Sequence, residues 1–238
     1  TPLGAIFRWS DQDVPGEELV VWRSPSSGYA ESFRQIRANL QFATTNVPGN
    51  VVLVTSPGPG DGKSTIIGNM AVALAQTGKK VVVVDGDLRR PNVHRKFSME
   101  QREPGLSNFL ADDTTQIGDV IHPTEIEGVG IVPGGPIPPN PSELLGSPRM
   151  AVLIDQLQMV NDVILIDSPP VLVVADASVL AAQVDGAVVV VDGFKTRSAS
   201  LKAAVDTLEN AQVNILGVVI NKLRRAKFGY GYYYYPYY

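Results

Sequence analysis

The sequence has 238 residues, 44% of them hydrophobic, and a formal net charge of −4. A chain of this size can bury one sizeable core, and its small acidic charge gives no general electrostatic reason to expect a nucleic-acid partner. With no cysteine and only two histidines, it excludes disulfides, thiolate metal sites and a histidine-rich metal centre within this sequence.

The N-terminal part is rich in Pro, Gly and Ser. Residues 1–28 therefore predict an extended lead-in with a few apolar anchor points, namely Leu3, Ile6, Trp9, Val20 and Trp22. Phe33, Ile36 and Leu40 follow at helical spacing, which predicts an amphipathic helix over 29–42. Because the sequence begins with Thr1 rather than Met, we expect it to be part of a longer protein. None of its apolar runs reaches the ~18 residues of a membrane span.

The rest of the chain alternates between two patterns. Unbroken β-branched runs predict strands at Val51–Thr55, Val81–Asp85, Val163–Asp167, 187–192 and 215–220. Helical patterns fall at 64–76, 148–160, 176–183 and 197–210, whereas 86–147 predicts a long irregular excursion. Buried strands with helical crossovers indicate a three-layer α/β/α sandwich with a mainly parallel sheet.

A glycine-rich loop, GPGDGKST at residues 58–65, lies between the first of these strands and the following helix. This context is typical of a phosphate-binding loop, in which backbone N–H groups and the helix N-terminus favour phosphate. Lys63 adds a cation at the β- and γ-phosphates, and the Ser64 hydroxyl can ligate Mg²⁺. The strict pattern has glycine where this chain has Pro57. The predicted nucleotide-binding residues are Gly58, Gly60, Asp61, Gly62, Lys63, Ser64 and Thr65.

Two of the apolar strands end in carboxylates. Asp85 and Asp87 follow one strand, and Asp167 ends another. The carboxyl ends of strands line the ligand crevice of open α/β sheets, so we expect the three acids to converge on a metal and the γ-phosphate. Mg²⁺ prefers a few carboxylates with water and phosphate oxygens. The predicted metal set is Ser64, Asp85, Asp87 and Asp167.

The segment after the last predicted strand indicates which base the site prefers. Asn221 begins the segment NKLR, which lacks the aspartate of a guanine-recognition motif because Arg224 stands in its place. Adenine is therefore the expected base, with Asn221 as a candidate contact and a simple strand-end turn as its alternative role. ATP and Mg²⁺ are the expected cofactors.

Seven of the eight tyrosines lie in the last nine residues. A tail of this composition beside an ATP site suggests a supply of phosphorylatable hydroxyls. The candidate phosphoacceptors are Tyr230, Tyr232, Tyr233, Tyr234, Tyr235, Tyr237 and Tyr238. About 18 residues follow the last predicted strand, and at ~3.3 Å each they span on the order of 60 Å, enough to reach a neighbouring subunit.

Taken in order, these motifs resemble the bacterial tyrosine kinases of polysaccharide synthesis, the BY-kinases. The resemblance covers roughly residues 28–238. It rests on a Walker A motif at 56–65, a Walker A′ motif at 81–89, a Walker B motif at 163–170 and the tyrosine cluster. The helical pattern of Glu31, Arg34 and Arg37 and the segment PPNPSELL at 138–145 also fit. Loops of that family often lack the first glycine, so Pro57 is no obstacle.

The resemblance implies a P-loop protein-tyrosine kinase that phosphorylates its own tail in trans, within a ring-shaped oligomer such as an octamer. Lys63 would hold the phosphates, Asp85 would act as general base, and Asp87 and Asp167 would act at the metal. Glu31, Arg34 and Arg37 would form the subunit interface. The implied organisation is a juxtamembrane lead-in at 1–28, a kinase domain at 29–228 and a flexible tail at 229–238.

The same resemblance implies a setting and partners. The parent protein would be a polysaccharide co-polymerase at the cytoplasmic face of the inner membrane, with 1–9 following its second membrane helix. The membrane activator lies on the same chain in some relatives and on a separate chain in others. A cognate tyrosine phosphatase and protein substrates of polysaccharide synthesis are the other expected partners, with no nucleic acid among them.

Two other function classes share part of this pattern. ATPase switches of chromosome and division-site partitioning have the same sheet, but they need a lysine early in the loop, where this chain has Gly58. A nucleotide-gated scaffold, whose tail only binds partners, would bind ATP and leave no phosphotyrosine.

Overall fold

A computed structural model describes residues 1–9, 19–45, 47, 49–100 and 103–224. Its centre is an eight-stranded sheet with the order β1-β8-β7-β2-β6-β3-β5-β4. All neighbouring strands are parallel except β4 and β5. The strands are β1 Pro2–Phe7, β2 Val51–Thr55, β3 Val81–Asp85, β4 His122–Pro123, β5 Val129–Val132, β6 Val163–Asp167, β7 Gly186–Asp192 and β8 Asn214–Leu223.

Helices cover both faces of this sheet. They are α1 Val20–Arg23, α2 Gly28–Thr44, α3 Lys63–Ala75, α4 Val93–Lys96, α5 Leu106–Ala111, α6 Ile117–Val120, α7 Pro141–Leu145, α8 Pro148–Gln158, α9 Asp176–Ala181 and α10 Ser198–Asn210. Alternate residues of β2 enter two separate cores. Val52 and Val54 pack with residues of α2 and α3, whereas Val51 and Leu53 pack with residues of α8 and α9. Successive side chains of a strand point to opposite faces, so the predicted three-layer sandwich is confirmed.

The regular part of the chain follows the sequence prediction closely. Strands β2, β3 and β6 have the predicted bounds, and β7 and β8 are slightly longer than predicted. The predicted amphipathic helix is α2, with Phe33, Ile36 and Leu40 buried. Helix α3 is followed by Gly78, whose φ of 82° favours glycine.

The predicted lead-in over 1–28 has its expected apolar anchors, since Leu3, Ile6 and Val20 are buried, but it holds more regular structure than predicted. Residues Pro2–Phe7 form the edge strand β1, which pairs with β8, and Val20–Arg23 form α1. Leu3 and Ile6 are buried in the core, and the Leu3 carbonyl accepts a hydrogen bond of 2.7 Å from Asn39 of α2. Only an edge strand tolerates the Pro and Gly content that suggested a loop.

The long excursion over 86–147 also contains more structure than predicted. Strand β5 pairs with β3 in the sheet, and β4 extends the edge beyond it. Four short helices complete the segment, and Leu106, Phe109 and Leu145 from them are buried in the core. The sequence of this segment looked irregular because its helices and strands are too short to show a hydrophobic period.

The tyrosine tail and the end of the predicted kinase domain, 225–238, lie outside the described residues. None of the described helices is long and apolar enough to cross a bilayer.

Candidate functional site

The glycine-rich loop connects β2 to α3 and has the backbone of a phosphate-binding loop. Gly60 has a φ of 80° and Gly62 a φ of 99°, conformations that other residues rarely adopt. A Cβ on Gly62 would lie 2.2 Å from Nδ2 of Asn221, so there is no room for any other residue. Successive backbone N–H groups in such a turn form a concave anion site at the start of α3.

Lys63 and Ser64 begin α3 directly behind this loop. Lys63 is buried, with 9% of its surface exposed. The Ser64 hydroxyl donates a hydrogen bond of 2.6 Å to Oδ2 of Asp167, which ends the neighbouring strand β6. The sheet therefore brings the loop and one predicted carboxylate together.

Asp85 and Asp167 are directly opposite each other in the register of β3 and β6. Oδ2 of Asp85 accepts hydrogen bonds from the backbone N–H groups of Asn92 and Val93, at 2.8 and 2.9 Å. The Oδ1 atoms of both aspartates are buried and find no hydrogen-bond partner within the described part of the chain. A buried carboxylate oxygen without a donor is costly, which indicates that another group completes the site.

The electrostatics of this pair follow from its burial. Desolvation and the neighbouring charge of Asp167 raise the pKa of Asp85 well above its usual value. Desolvation raises the pKa of Asp167 to about 6, although Lys63 and the Ser64 hydrogen bond act in the opposite direction. Perturbed carboxylates of this kind cluster at functional sites, where they bind cations or exchange protons.

Asp87, the third predicted acid, is more accessible than the other two. Its Oδ1 atom accepts a hydrogen bond of 3.1 Å from the backbone N–H of Arg90. Desolvation raises its pKa, and Lys63 partly offsets the effect. It lies two residues beyond the end of β3 and is the most exposed of the three carboxylates.

The residues fit Mg²⁺ only together with a bound nucleotide. The described residues contain no group of three or more His, Cys, Asp or Glu side chains placed to hold a metal ion, so the three predicted acids do not form a metal cage by themselves. The orphaned oxygen of Asp167 and the hydroxyl of Ser64 nevertheless suit an ion that keeps several waters and takes phosphate oxygens as ligands. Individual metal roles for Asp85 and Asp87 stay predictions.

Asn221 and Asp61 hold the loop in shape. Nδ2 of Asn221 donates a hydrogen bond of 2.8 Å to the carbonyl of Asp61, and its Oδ1 accepts a hydrogen bond from the backbone N–H of Lys222. Oδ2 of Asp61 accepts a hydrogen bond of 3.1 Å from the backbone N–H of Gly58. The structure thus gives Asn221 the turn-forming role that was its alternative, and its contact with the base stays a prediction.

The three residues predicted for a subunit interface share one helix but have different contacts. Arg34 pairs with exposed Glu31 at 2.8 Å and donates to the Pro25 carbonyl. Arg37 instead donates a hydrogen bond of 2.8 Å to the carbonyl of Ala73 in α3. All three therefore have partners within their own chain, but only Arg37 contacts another helix.

An ion pair beside the site, between an exposed arginine and a buried aspartate, was not predicted. Arg89, the last residue of the Walker A′ segment, donates two hydrogen bonds to Asp176, at 2.8 and 3.0 Å. The Ser142 hydroxyl of α7 donates to the same carboxylate. Burial alone would raise the pKa of Asp176, but its bonds to Arg89 and Ser142 lower it. The segment 138–145 was expected from resemblance alone, and no local pattern in the sequence indicated its contact with Arg89.

Comparison with known proteins places this geometry in a family. Residues 48–226 match the ParA family, described as NUBPL iron-transfer P-loop NTPase. The putative tyrosine-protein kinase CapB of Staphylococcus aureus is 38% identical over 217 residues, which are 91% of this chain and 94% of CapB. The chain belongs to the bacterial tyrosine kinase family. The putative tyrosine-protein kinase EpsB of Ralstonia nicotianae is 39% identical over 91% of this chain, but the match spans only 29% of EpsB.

Solved structures of this tyrosine kinase family agree. The kinase domain of the Escherichia coli tyrosine kinase ETK superposes with a TM-score of 0.89 at 29% identity, covering 98% of this chain and 95% of that one. The chimerical protein CapA2B2 gives a TM-score of 0.86 at 38% identity, covering 94% of this chain and 95% of that one.

A septum site-determining protein shares the fold less closely. MinD of Pyrococcus horikoshii, complexed with Mg-ADP, gives a TM-score of 0.64 at 26% identity, covering 75% of this chain and 72% of that one.

Proposed function

We propose that this tyrosine kinase domain transfers the γ-phosphoryl group of ATP to tyrosine hydroxyls, first of all those of its own tail. The observation that carries the proposal is the pair of buried carboxylates with orphaned oxygens, Asp85 and Asp167, placed beside the lysine and serine of the phosphate-binding loop. Phosphoryl transfer asks mainly for positioning and charge neutralisation, and this site supplies both.

The transfer step is a displacement at the γ-phosphorus. The tyrosine oxygen forms a bond to phosphorus while the bond to the bridging β,γ-oxygen breaks and ADP leaves. The phenolic proton passes to Asp85, whose raised pKa brings it closer to that of a useful base at neutral pH. A free tyrosine has a pKa near ~10, so a carboxylate at the acceptor assists the attack.

Other residues bind and orient the nucleotide. The N–H groups of the loop hold the phosphates, and Lys63 neutralises charge at the β- and γ-phosphates. Ser64 and Asp167 would hold Mg²⁺, directly or through water, with Asp87 nearby. When bound, the metal would supply further neutralisation of the phosphate charge.

Transfer between subunits of a ring is proposed from the reach of the chain. Strand β8 ends at Leu223, on the nucleotide side of the sheet, since Asn221 contacts the phosphate-binding loop. Residues 224–238 follow, and at ~3.3 Å each they extend to about 50 Å. This is three residues fewer than expected from the sequence, and the reach still suffices for a neighbouring site.

Mixing two variants tests transfer in trans. A Lys63→Met chain keeps its tyrosines and lacks the catalytic lysine, while a second chain keeps the lysine and has every tail tyrosine changed to phenylalanine. We expect phosphotyrosine on the Lys63→Met chain only in the mixture. A tail that stays unmodified there, while the parent chain modifies its own, would show transfer in cis.

Ring assembly through α2 is a separate part of the proposal. A double Arg34→Ala, Arg37→Ala variant should sediment as a smaller species than the parent chain. Because Arg37 also contacts Ala73, Arg37→Ala alone is the control for folding. Unchanged sedimentation of the double variant would contradict assembly through α2.

Phosphorylation of the tail should act on the same assembly. Each added phosphate carries about −1.5 to −2 charges, so full phosphorylation should loosen the ring and release the tails. Unchanged sedimentation after full phosphorylation would contradict this effect.

The wider role is proposed from the family resemblance. The whole protein would act at the cytoplasmic face of the inner membrane and regulate the synthesis and export of a polysaccharide. A transmembrane activator, a tyrosine phosphatase and enzymes of polysaccharide synthesis would be its partners. Polymer export measured in cells that carry a Lys63→Met copy should fall, and normal export would contradict the regulatory role.

A further inference from the structure

Lys222 occupies an unusual place at the end of β8. It has a φ of 58°, in the left-handed region that lysine rarely adopts. Strain of this kind persists only where the surrounding contacts outweigh it. Its side chain, about one third exposed, donates to the carbonyl of Gly60 in the phosphate-binding loop and lies 3.4 Å from Oδ2 of Asp192.

The partner carboxylate is held firmly in place. Oδ1 of Asp192 accepts hydrogen bonds from the N–H groups of Phe194 and Lys195, at 3.0 and 3.1 Å. The N–H of Asp192 donates to the Thr196 hydroxyl, which in turn donates 3.3 Å to Oδ1 of Asp61. Asp192 therefore fixes the ammonium group of Lys222 from the side of β7.

The neighbouring residue holds the same loop. Asn221 is buried and donates to the Asp61 carbonyl, while its Oδ1 accepts from the N–H of Lys222. Two consecutive residues of β8 thus contact two carbonyls of the loop, those of Gly60 and Asp61. Loop N–H groups can face phosphate only if these carbonyls point away from it, and both contacts favour that orientation.

We propose that Lys222 is a positioning residue for the phosphate-binding loop and links nucleotide binding to the start of the tail. The segment 225–238 follows this lysine after two residues, and the Arg224 guanidinium lies 3.7 Å from the ring centre of Phe194, beside Asp192. A change in the loop would therefore reach Arg224, the last described residue before the tail. The inference deepens the proposed function and rests on it, since it concerns the same nucleotide site.

Hydrogen exchange measured by mass spectrometry tests the positioning role in the nucleotide-free chain. In Lys222→Met, which keeps an unbranched apolar stem and loses the charge, the amides of 58–62 should exchange several-fold faster. Lys222→Arg should restore most of the protection because it keeps a donor on a long stem. Unchanged exchange over 58–62 in Lys222→Met overturns the proposal, whether or not the chain is a kinase.

Nucleotide affinity gives a second readout that a merely structural role would not move. A charge-assisted hydrogen bond that is partly exposed is worth roughly a three- to tenfold change in a binding constant, so Lys222→Met should weaken MgADP binding by about fivefold in calorimetry. Lys222→Gly relieves the backbone strain and should keep the melting temperature, yet it should weaken MgADP binding as much. Parent-like affinity in both variants contradicts the proposal.

The proposed link between nucleotide binding and the start of the tail is tested by a separate experiment. Coupling between two sites is reciprocal, so MgADP should slow the exchange of amides in 219–224 of the parent chain. The same slowing should be lost in Lys222→Met and kept in Lys202→Ala, which removes an exposed lysine of α10. Equal slowing in Lys222→Met would show that Lys222 carries no link. If MgADP binding follows these expectations while no phosphotyrosine forms, only the proposed kinase function fails.

Discussion

Three parallel strands of this sheet end in a buried aspartate, and they do not end alike. Asp85 of β3 and Asp167 of β6 each keep one buried oxygen without a partner in the described residues, and burial raises the pKa of both. Asp192 of β7 is equally buried. Burial would raise its pKa too, but hydrogen bonds from Phe194, Lys195 and Lys222 outweigh this and lower it. The same strand-end pattern thus gives two acids with an unpartnered oxygen and a raised pKa, and one acid with a lowered pKa.

The hydrogen-bond partners of the two oxygens of each carboxylate explain the difference. After Asp192 the chain turns back at once, so that two N–H groups of the turn reach its carboxylate. After Asp167 come Ser168, Pro169 and Pro170, and proline has no N–H to donate. A carboxylate followed by two prolines stays available to a cation or a proton. Asp85 also accepts two N–H groups, but both reach its Oδ2, and its Oδ1 has no partner in the described residues. The difference therefore lies in the second oxygen, which in Asp192 faces the ammonium group of Lys222.

The largest loss of activity is predicted for substitution of Asp85 or Asp167. Asp85→Asn and Asp167→Asn should each lower kcat for tyrosine phosphorylation by at least about 100-fold, because a general base or a metal ligand is lost. Both variants should remain folded, since the neutral amide removes a buried like-charge pair. Steady-state kinetics with ATP radiolabelled at the γ-phosphate measures kcat, and activity within about threefold of the parent for both would contradict the assignment.

A second prediction uses pH. The folded pKa of Asp167, about 6, lies above its ordinary value of 3.8, so ionisation destabilises the nucleotide-free fold. Its contribution to stability is fully present below about pH 4 and is lost as the pH rises through 6. The unfolding free energy should therefore increase with acidification, by about 1 kcal/mol from Asp167 between pH 7 and 5 and by about 3 kcal/mol in total once the pH is well below 4. The raised pKa of Asp85 acts with the same sign.

Nucleotide binding should depend on pH in the opposite sense. Protonation of Asp167 below about pH 6 removes the negative charge that favours Mg²⁺, so the affinity for MgADP should fall there. Urea unfolding and calorimetry across this range measure the two trends. Asp167→Asn should flatten both, and trends of equal slope in parent and variant would assign the titration to another group.

A third prediction concerns the ion pair beside the reactive strands. Asp176→Asn leaves the guanidinium of Arg89 without its charge partner in a site where the carboxylate is fully buried. The unfolding free energy should fall by roughly 1–3 kcal/mol, as expected for breaking a buried pair whose second member is half exposed. Arg89→Met is the matched variant, and a double variant should lose less than the sum of the two single losses. Additive losses would exclude a direct interaction.

The smallest effect on the chemistry is expected at Asp192. Asp192→Asn keeps the shape of the turn and weakens its charge-assisted bonds, so stability should fall by about 1 kcal/mol. At saturating ATP its kcat should stay within about threefold of the parent, because the residue orients Lys222 and the loop without touching the transferred group. A kcat loss as large as that of Asp167→Asn would erase the distinction between the two kinds of strand end.

Much of this arrangement can be predicted from the sequence, because its signals are local. Buried parallel strands appear as unbroken β-branched runs, and the loop over 58–65 carries its own glycines. Strand β1 escaped prediction because its Pro and Gly suggested a loop, while pairing with β8 forms it. The contact of Arg89 with Asp176 and the contact of Lys222 with Gly60 join residues far apart in sequence, and only the fold brings them together.

We have proposed that this nucleotide site phosphorylates the tyrosine tail of its own chain. The most direct test is mass spectrometry of residues 230–238 after the purified chain has been incubated with ATP and Mg²⁺, beside a Lys63→Met control. We expect several phosphates on these tyrosines, absent from the control. A bare tail accompanied by release of ADP would contradict it and would favour an ATPase switch.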